Sequence, residues 1–147
     1  MKGISDIPGI ATKAPEGVRT DGTPYKVMVV DDSIFIAKQI GQILTSEGFE
    51  VVTTAGDGEE AVKKYQELQG KIDLVTMDIT MPKMDGVTAL EKIMEFDPNA
   101  KIVMISALGR QDLVKKSLLL GAKNYIVKPL DRKKVLERVV SVVKVDA

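Results

Sequence analysis

The sequence predicts one α/β domain built around a parallel β-sheet. From Pro24 onward, short runs rich in β-branched residues alternate with amphipathic stretches, and the alternation occurs five times. Several of the short runs are almost entirely apolar, which is typical of strands buried on both faces of a parallel sheet. A length of 147 residues is enough for one domain with a substantial core. We therefore expect a doubly wound sheet with helices on both faces.

The predicted elements follow one another in strict alternation. The predicted strands are 25–30, 51–55, 74–77, 101–105 and 124–127. The predicted helices are 33–47, 58–68, 86–96, 110–120 and 131–143. In the first helix the apolar residues lie on one stripe, and Gly48 is its expected C-terminal stop.

The N-terminal segment has a different character from the rest of the chain. Its first 23 residues contain four glycines and two prolines, and the apolar residues follow neither a helical nor a strand period. This predicts a flexible tail over residues 1–24 and a domain over residues 25–147. Only four residues follow Val143, so we expect no output domain within the chain.

Composition and charge exclude several kinds of chemistry and partner. The chain contains no cysteine and no histidine, so disulfide frameworks, thiol nucleophiles, Ser-His-Asp triads and His-ligated metals are excluded. Basic and acidic residues balance at 21 each, which gives no reason to expect nucleic acid or a membrane as the partner. No apolar run approaches the roughly 18 residues of a membrane span, and we expect a cytoplasmic protein.

The charge is unevenly distributed along the chain. Residues 107–147 contain ten basic and four acidic residues, a net charge of +6, and the preceding residues carry −6. A basic C-terminal part favours an acidic partner. Taken alone, the basic residues Arg132, Lys133, Lys134 and Arg138 are better explained as the solvated face of a terminal helix.

Polar side chains stand at the ends of four predicted strands. Asp31 and Asp32 follow the first strand, Asp78 the third, Ser106 the fourth, and Lys128 the fifth. In such folds ligands bind beyond the carboxyl ends of the strands. Each residue also has a purely local explanation, such as an N-cap or a turn, but the convergence of three carboxylates, a hydroxyl and an ammonium indicates a site.

Three neighbouring carboxylates repel one another unless a cation lies between them. Mg²⁺ prefers oxygen ligands and commonly combines one or two carboxylates with phosphate oxygens, which fits this set. A carboxylate beside Mg²⁺ can act as a nucleophile and form an acyl phosphate. Asp78, held at the end of an apolar strand, is the candidate nucleophile, with Lys128 and Ser106 beside the phosphoryl group.

At these residues the sequence resembles the receiver domain of two-component response regulators. The matching segments are Val29-Val30-Asp31-Asp32-Ser33, Met77-Asp78-Ile79-Thr80-Met81-Pro82-Lys83-Met84-Asp85-Gly86, Ser106-Ala107 and Val127-Lys128-Pro129-Leu130. The resemblance begins at Tyr25 and implies a flavodoxin-like (βα)5 sheet in the strand order 2-1-3-4-5.

The resemblance also assigns roles within the site. It implies that Asp78 is the phosphoacceptor and that Asp31, Asp32, Asp78 and the backbone carbonyl of Thr80 bind Mg²⁺. It implies a cis peptide bond between Lys128 and Pro129. Such a protein is a phosphoacceptor that assists its own phosphorylation and dephosphorylation rather than an enzyme acting on other substrates.

A switch and an output surface follow from the same resemblance. Ser106 and Ala107 are expected to bind the phosphoryl group, and Tyr125 to turn inward as the Ser106 hydroxyl moves. This couples the site to the surface of the fourth helix, the fifth strand and the fifth helix. Lys115, Leu119 and Tyr125 are the expected partner contacts. Leu118, Leu119 and Leu120 are consecutive, so they cannot all face the sheet.

Two segments, Asp78-Ile79-Thr80-Met81-Pro82 and Gly121-Ala122-Lys123-Asn124-Tyr125-Ile126-Val127-Lys128-Pro129, are most similar to receivers of the chemotaxis class. This similarity implies phosphorylation by a chemotaxis-type sensor histidine kinase, binding to the flagellar motor switch protein, and a phosphatase as a further partner. Three alternatives stay open: a phosphorelay shuttle that passes its phosphoryl group to a histidine phosphotransfer protein, a pseudo-receiver that binds without being phosphorylated, and a hydrolase of the haloacid dehalogenase type. The hydrolase needs an acidic residue two positions after the nucleophile, where this chain has Thr80.

Overall fold

The computed structural model of the chain describes residues 14–144, and within them five strands alternate with five helices. The strands are β1 (Lys26–Val30), β2 (Glu50–Ala55), β3 (Leu74–Asp78), β4 (Ile102–Ser106) and β5 (Asn124–Val127). The helices are α1 (Ile34–Thr45), α2 (Gly58–Glu67), α3 (Gly86–Phe96), α4 (Gln111–Leu119) and α5 (Arg132–Val143). Every predicted element is present, with bounds that differ by at most two residues.

The five strands form one parallel sheet in the order β2-β1-β3-β4-β5. The fold class implied by the resemblance is therefore confirmed. The register pairs Val30 with Met77, Asp78 with Ile105, and Ser106 with Val127, so the carboxyl ends of the four strands β1, β3, β4 and β5 lie along one edge. β3 and β4 each extend one residue further than predicted, because Asp78 and Ser106 still belong to the ladder.

Helix boundaries are fixed by side-chain caps. Ser33, Asp57, Asp85 and Asp131 each accept a hydrogen bond from a backbone N–H in the first turn of the following helix. Ser33 and Asp131 were predicted as the first helical residues, and they are the N-caps of α1 and α5 instead. α4 differs from these helices, because its N-cap Arg110 makes no such hydrogen bond.

The hydrophobic core consists of two layers, one on each face of the sheet. Met28, Met77 and Met104 point to the layer beneath α2, α3 and α4, together with Leu90 and Ile93. Alternate residues of the same strands point to the opposite layer beneath α1 and α5, which contains Val27, Val29, Ile40, Leu44, Val103, Ile105, Val135 and Val139. Because both faces are covered, β3 and β4 are buried along their whole length.

Residues 14–24, predicted to be part of a flexible tail, pack against the domain. The Gly17 N–H donates to the Glu47 carbonyl at 2.7 Å, and Val18 and Pro24 form an antiparallel bridge. The Arg19 guanidinium lies 2.6 Å from the Asp73 carboxylate and stacks over the Tyr25 ring. The contacts of Gly17 with Glu47 and of Arg19 with Asp73 join residues far apart in the sequence, so local periodicity did not reveal them. Residues 1–13 of the predicted tail lie outside the described part.

None of the helices between residues 14 and 144 is long and apolar enough to cross a membrane.

Candidate functional site

Three carboxylates meet at the carboxyl edge of the sheet. Asp31 and Asp32 follow β1, and Asp78 ends the neighbouring strand β3. One carboxylate oxygen from each lies within 4.8 Å of the others. Asp31 and Asp78 are buried, whereas Asp32 is exposed. The inner side of the cluster is therefore shielded from solvent, and the outer side is open to it.

Asp31 is held by hydrogen bonds to the backbone, and one of its two carboxylate oxygens accepts none among the described residues. Its Oδ1 accepts a hydrogen bond of 2.9 Å from the Ser33 N–H, and its backbone N–H donates to the Ala55 carbonyl. Its Oδ2 is buried and has no hydrogen-bond partner among the described residues. Buried polar atoms are rarely left without a partner. The orphaned oxygen therefore fits a cation bound between the carboxylates.

Lys128 supplies a single positive charge to the cluster. Its Nζ lies 3.4 Å from Asp78 Oδ1 and 3.6 Å from Asp31 Oδ2. The backbone N–H of Lys128 donates to the Ser106 carbonyl at 2.8 Å, and the peptide bond to Pro129 is cis. One ammonium cannot balance three ionised carboxylates, and the remaining negative charge favours a divalent cation.

The electrostatics of Asp78 reflect this imbalance. Burial, followed by the nearby charge of Asp31, raises the pKa of Asp78 to about 6, and Lys128 partly opposes the rise. Burial also raises the pKa of Asp31. At neutral pH Asp78 is mostly ionised and able to act as a nucleophile.

The loop after β3 is closely packed against the site. Ile79 N–H donates to the Ile105 carbonyl, and Gly86 N–H donates to the Ile79 carbonyl at 2.7 Å. A Cβ at Gly86 would overlap the carbonyl oxygen of Asp78. Thr80 lies between these anchors, in the bend that follows Asp78. The loop is thus fixed immediately after the candidate nucleophile.

The far end of this loop is tied to α2. Gly58 N–H donates to the Met84 carbonyl at 3.0 Å, and Lys83 Nζ lies 3.8 Å from Asp57 Oδ2. The backbone of Lys83 has a φ of 65°, in the left-handed region that residues other than glycine seldom adopt. This link was not predicted, since no pattern in the sequence joins α2 to the loop.

Ser106 and Tyr125 line one cavity of about 390 Å³ between β5 and α4. Ser106 is buried, and its hydroxyl donates to the Ala107 carbonyl at 2.9 Å. Tyr125 is half-buried. The rest of the lining includes Leu108, Val114, Lys115, Leu118 and Val127. The two residues expected to act as a switch therefore face the same space.

Two of the three residues predicted to contact a partner, Lys115 and Leu119, are on the surface of α4, and the third, Tyr125, is half-buried in β5. Leu119 is 81% exposed and Leu118 41% exposed, and Lys115 is exposed as well. A further contact was not predicted: the Arg138 guanidinium lies over the Tyr125 ring, with its carbon 5.2 Å from the ring centroid. In the sequence Arg138 stood out only as one member of a basic helix.

A larger cleft of about 560 Å³ lies at the opposite, amino-terminal edge of the sheet. Its lining includes Arg19, Tyr65, Asp73 and Asp97. These polar groups are paired with one another, Arg19 with Asp73 and the Tyr65 hydroxyl with Asp97 at 2.7 Å. The carboxylate cluster, with its orphaned oxygen, is the better candidate for chemistry.

Comparison with known proteins agrees with this geometry. Residues 27–140 match the response regulator receiver domain family. The chemotaxis protein CheY of Treponema pallidum is 68% identical over 139 residues, which cover 95% of this chain and 96% of that protein. CheY of Thermotoga maritima is 48% identical over 112 residues, covering 76% of this chain and 92% of that protein.

The fold has a similar solved structure as well. A chain in the crystal structure of the CheX-CheY-BeF3-Mg²⁺ complex from Borrelia burgdorferi is 60% identical to this one. The match covers 88% of this chain and 98% of that chain, with a TM-score of 0.86.

Proposed function

The chain belongs to the response regulator receiver family, and from this premise we propose that Asp78 is its phosphoacceptor in a Mg²⁺-dependent reaction. The similarity to several CheY proteins makes it a receiver of the chemotaxis type. One observation carries the proposal: oxygens of Asp31, Asp32 and Asp78 lie within 4.8 Å of one another, with Lys128 Nζ 3.4 Å from Asp78.

In the proposed reaction, an Asp78 carboxylate oxygen attacks the phosphorus of a phosphorylated histidine on the kinase. A P–O bond to Asp78 forms as the P–N bond breaks, and the imidazole nitrogen takes the electron pair. Burial at the end of β3 fixes the direction of attack and keeps the carboxylate poorly solvated. The chain would thus assist its own phosphorylation, and hydrolysis of the acyl phosphate by water would reverse it.

Mg²⁺, when bound, would neutralise charge on the transferring phosphoryl group. Asp31, Asp32 and Asp78 are its proposed ligands, together with the backbone carbonyl of Thr80. The exposure of Asp32 leaves the outer side of the cluster open to water. This suits Mg²⁺, which usually retains several water ligands.

Lys128 and Ser106 are the proposed sensors of the phosphoryl group. The Lys128 ammonium, now shared between Asp78 and Asp31, would pair with a phosphoryl oxygen. The Ser106 hydroxyl would leave the Ala107 carbonyl and donate to another phosphoryl oxygen. Its movement would free space in the 390 Å³ cavity, into which the Tyr125 ring would turn.

The output surface in this proposal is formed by α4, β5 and α5. Lys115, Leu119 and Tyr125 are its proposed contacts, an apolar group beside basic and aromatic side chains. The surrounding segment carries a net charge of +6 over residues 107–147. Such a surface fits an acidic amphipathic peptide, and the flagellar motor switch protein is the proposed source of that peptide.

The other proposed partners act on Asp78 directly. A chemotaxis-type sensor histidine kinase would supply the phosphoryl group, and a phosphatase would remove it. A CheX protein is a further candidate partner, because the similar Borrelia burgdorferi chain occurs in a complex of CheX and CheY. A cytoplasmic location belongs to the same proposal.

Titration with a peptide from the motor switch protein tests this function. Beryllofluoride with Mg²⁺, which stands in for the phosphoryl group, should increase the peptide affinity of the wild type and leave that of Asp78→Asn unchanged. An unchanged wild-type affinity, combined with efficient phosphoryl transfer to a histidine phosphotransfer domain, would favour the phosphorelay shuttle instead.

A further inference from the structure

Arg138 is the side chain of α5 that lies against the ring of Tyr125. The guanidinium carbon is 5.2 Å from the ring centroid, within the distance of about 6 Å at which a cation is attracted to an aromatic face. Tyr125 belongs to β5, the edge strand of the sheet. Tyr125 therefore contacts Arg138 at the sheet edge and also lines the cavity shared with Ser106.

A hydrogen-bond network fixes the position of the guanidinium. Arg138 Nη1 donates to Asn124 Oδ1 at 3.1 Å, and the same oxygen accepts the Tyr125 backbone N–H at 2.8 Å. Asn124 Nδ2 donates to Ser141 Oγ at 3.3 Å, and the Ser141 hydroxyl donates to the Arg138 carbonyl. Asn124 is thus hydrogen-bonded both to the backbone of β5 and to side chains of α5. These hydrogen bonds hold the Arg138 guanidinium beside Tyr125.

We propose that Arg138 is a positioning residue that holds the Tyr125 ring beside its guanidinium at the sheet edge and so opposes the turn of the ring towards Ser106. The ring gives up its contact with the guanidinium when it enters the cavity. Arg138 thereby sets how readily the output surface changes before any phosphoryl group is present. The effect on signalling rests on the proposed function, whereas the effect on ring position does not.

The ring position can be measured directly in the full chain labelled with 3-fluorotyrosine, by ¹⁹F NMR. The Tyr125 signal is assigned from its loss in Tyr125→Phe. In Arg138→Gln, which removes the cation but keeps an amide donor for Asn124, the signal should shift towards the inward position, with the inward-to-outward ratio raised about two- to fivefold. Nuclear Overhauser contacts between the ring and Val114 identify the inward position.

Two matched variants separate positioning from general effects on α5. Arg138→Lys keeps a cation and should return the signal most of the way to that of the wild type. Arg132→Gln removes an arginine of the same helix that is paired with Glu47 in the turn after α1, and it should leave the Tyr125 signal unchanged. Unfolding of each variant in denaturant shows whether the fold itself is affected.

The outcomes distinguish this proposal from the function on which it builds. An unchanged Tyr125 signal in a folded Arg138→Gln protein would overturn the role of Arg138, as would an equal shift in Arg132→Gln. If the wild-type Tyr125 signal did not change on addition of beryllofluoride and Mg²⁺, the proposed switch would be contradicted. The comparison between Arg138→Gln and Arg138→Lys would still show whether the cation holds the ring.

Discussion

The ammonium nitrogen of Lys128 lies 3.4 Å from Oδ1 of Asp78, at the ends of two strands separated by β4. It also lies 3.6 Å from Asp31 Oδ2, so a single cation is shared between two buried carboxylates. A phosphoryl group on Asp78 would compete with Asp31 for this ammonium. The contact is therefore well placed to report the state of Asp78 to β5, which Lys128 directly follows.

Lys128→Ala should separate phosphorylation from output. Asp31, Asp32 and Asp78 remain in the variant, so we expect Mg²⁺ still to bind. The gain in motor-peptide affinity on phosphorylation, typically about 5–150-fold for allosteric coupling, should be largely lost. Isothermal titration with the phosphorylated and unphosphorylated protein measures this gain, and Lys63→Ala, on the exposed face of α2 and outside the output surface, is the control. A normal gain in Lys128→Ala would refute the role of the ammonium.

Asp78→Asn should stabilise the metal-free protein. Asp78 is buried beside Asp31, and its pKa is raised to about 6, so its ionised form destabilises the folded state. From this shift we expect the free energy of unfolding in EDTA at pH 7.5 to rise by about 2–3 kcal/mol. Urea unfolding measures the change, and Glu91→Gln on the exposed side of α3 is the control. Equal or lower stability of Asp78→Asn would contradict this account.

The same variant should show a defined pH dependence. Because the pKa of Asp78 is higher in the folded state than its ordinary value near 3.8, the folded state binds more protons between these values. The contribution of Asp78 is favourable at low pH and is lost as the pH rises through about 6. The advantage of Asp78→Asn over wild type should therefore shrink as the pH is lowered from 7.5 to 5. If the stability advantage of Asp78→Asn increased as the pH was lowered, folding would not raise the pKa of Asp78.

Gly86→Ala should be strongly destabilising, because its methyl group would overlap the Asp78 carbonyl oxygen. We expect a loss of about 2–4 kcal/mol, since the overlapping atom is backbone. Gly41→Ala is the matched control, as Gly41 lies within α1 with nothing within 4 Å of its added methyl group. That change should stabilise the protein by about 0.5–1 kcal/mol. Similar effects of the two changes on urea unfolding would disprove the close approach at Gly86.

Arg19→Ala tests whether residues 14–24 are part of the folded domain. Arg19 pairs with Asp73 at 2.6 Å, donates to the Pro24 carbonyl at 3.1 Å and stacks on Tyr25. Since the pair is about one-third exposed, we expect a modest loss of about 1–2 kcal/mol. Arg110→Ala, whose pairing with Asp112 is longer at 3.8 Å, should change stability by less than about 0.5 kcal/mol. Equal effects in thermal unfolding would show that the segment contributes little.

The sequence predicted features that depend on local pattern. Apolar strands such as Leu74–Asp78 and the alternation with helices identify the parallel sheet, and carboxylates placed directly after neighbouring strands must meet at one edge. The resemblance to receivers added the strand order and the cis bond before Pro129, both of which the structure contains.

The remaining features depend on contacts between distant residues. Arg19 pairs with Asp73, which lies 54 positions later in the sequence, and no periodicity indicates that the two residues are partners. The stacking of Arg138 on Tyr125 requires α5 to pack beside the edge strand, and the direction of the Ser106 hydroxyl towards Ala107 depends on atomic positions. These details follow from tertiary packing rather than from composition or spacing.

Intact mass spectrometry shows whether Asp78 accepts a phosphoryl group with the help of Mg²⁺. Wild type and Asp78→Asn are incubated with acetyl phosphate in Mg²⁺ or in EDTA. We expect the mass of one added phosphoryl group on the wild type in Mg²⁺ only, and none on Asp78→Asn. Equal labelling of Asp78→Asn would contradict the assignment of the nucleophile, and a wild type that neither acetyl phosphate nor the kinase can label would be a pseudo-receiver.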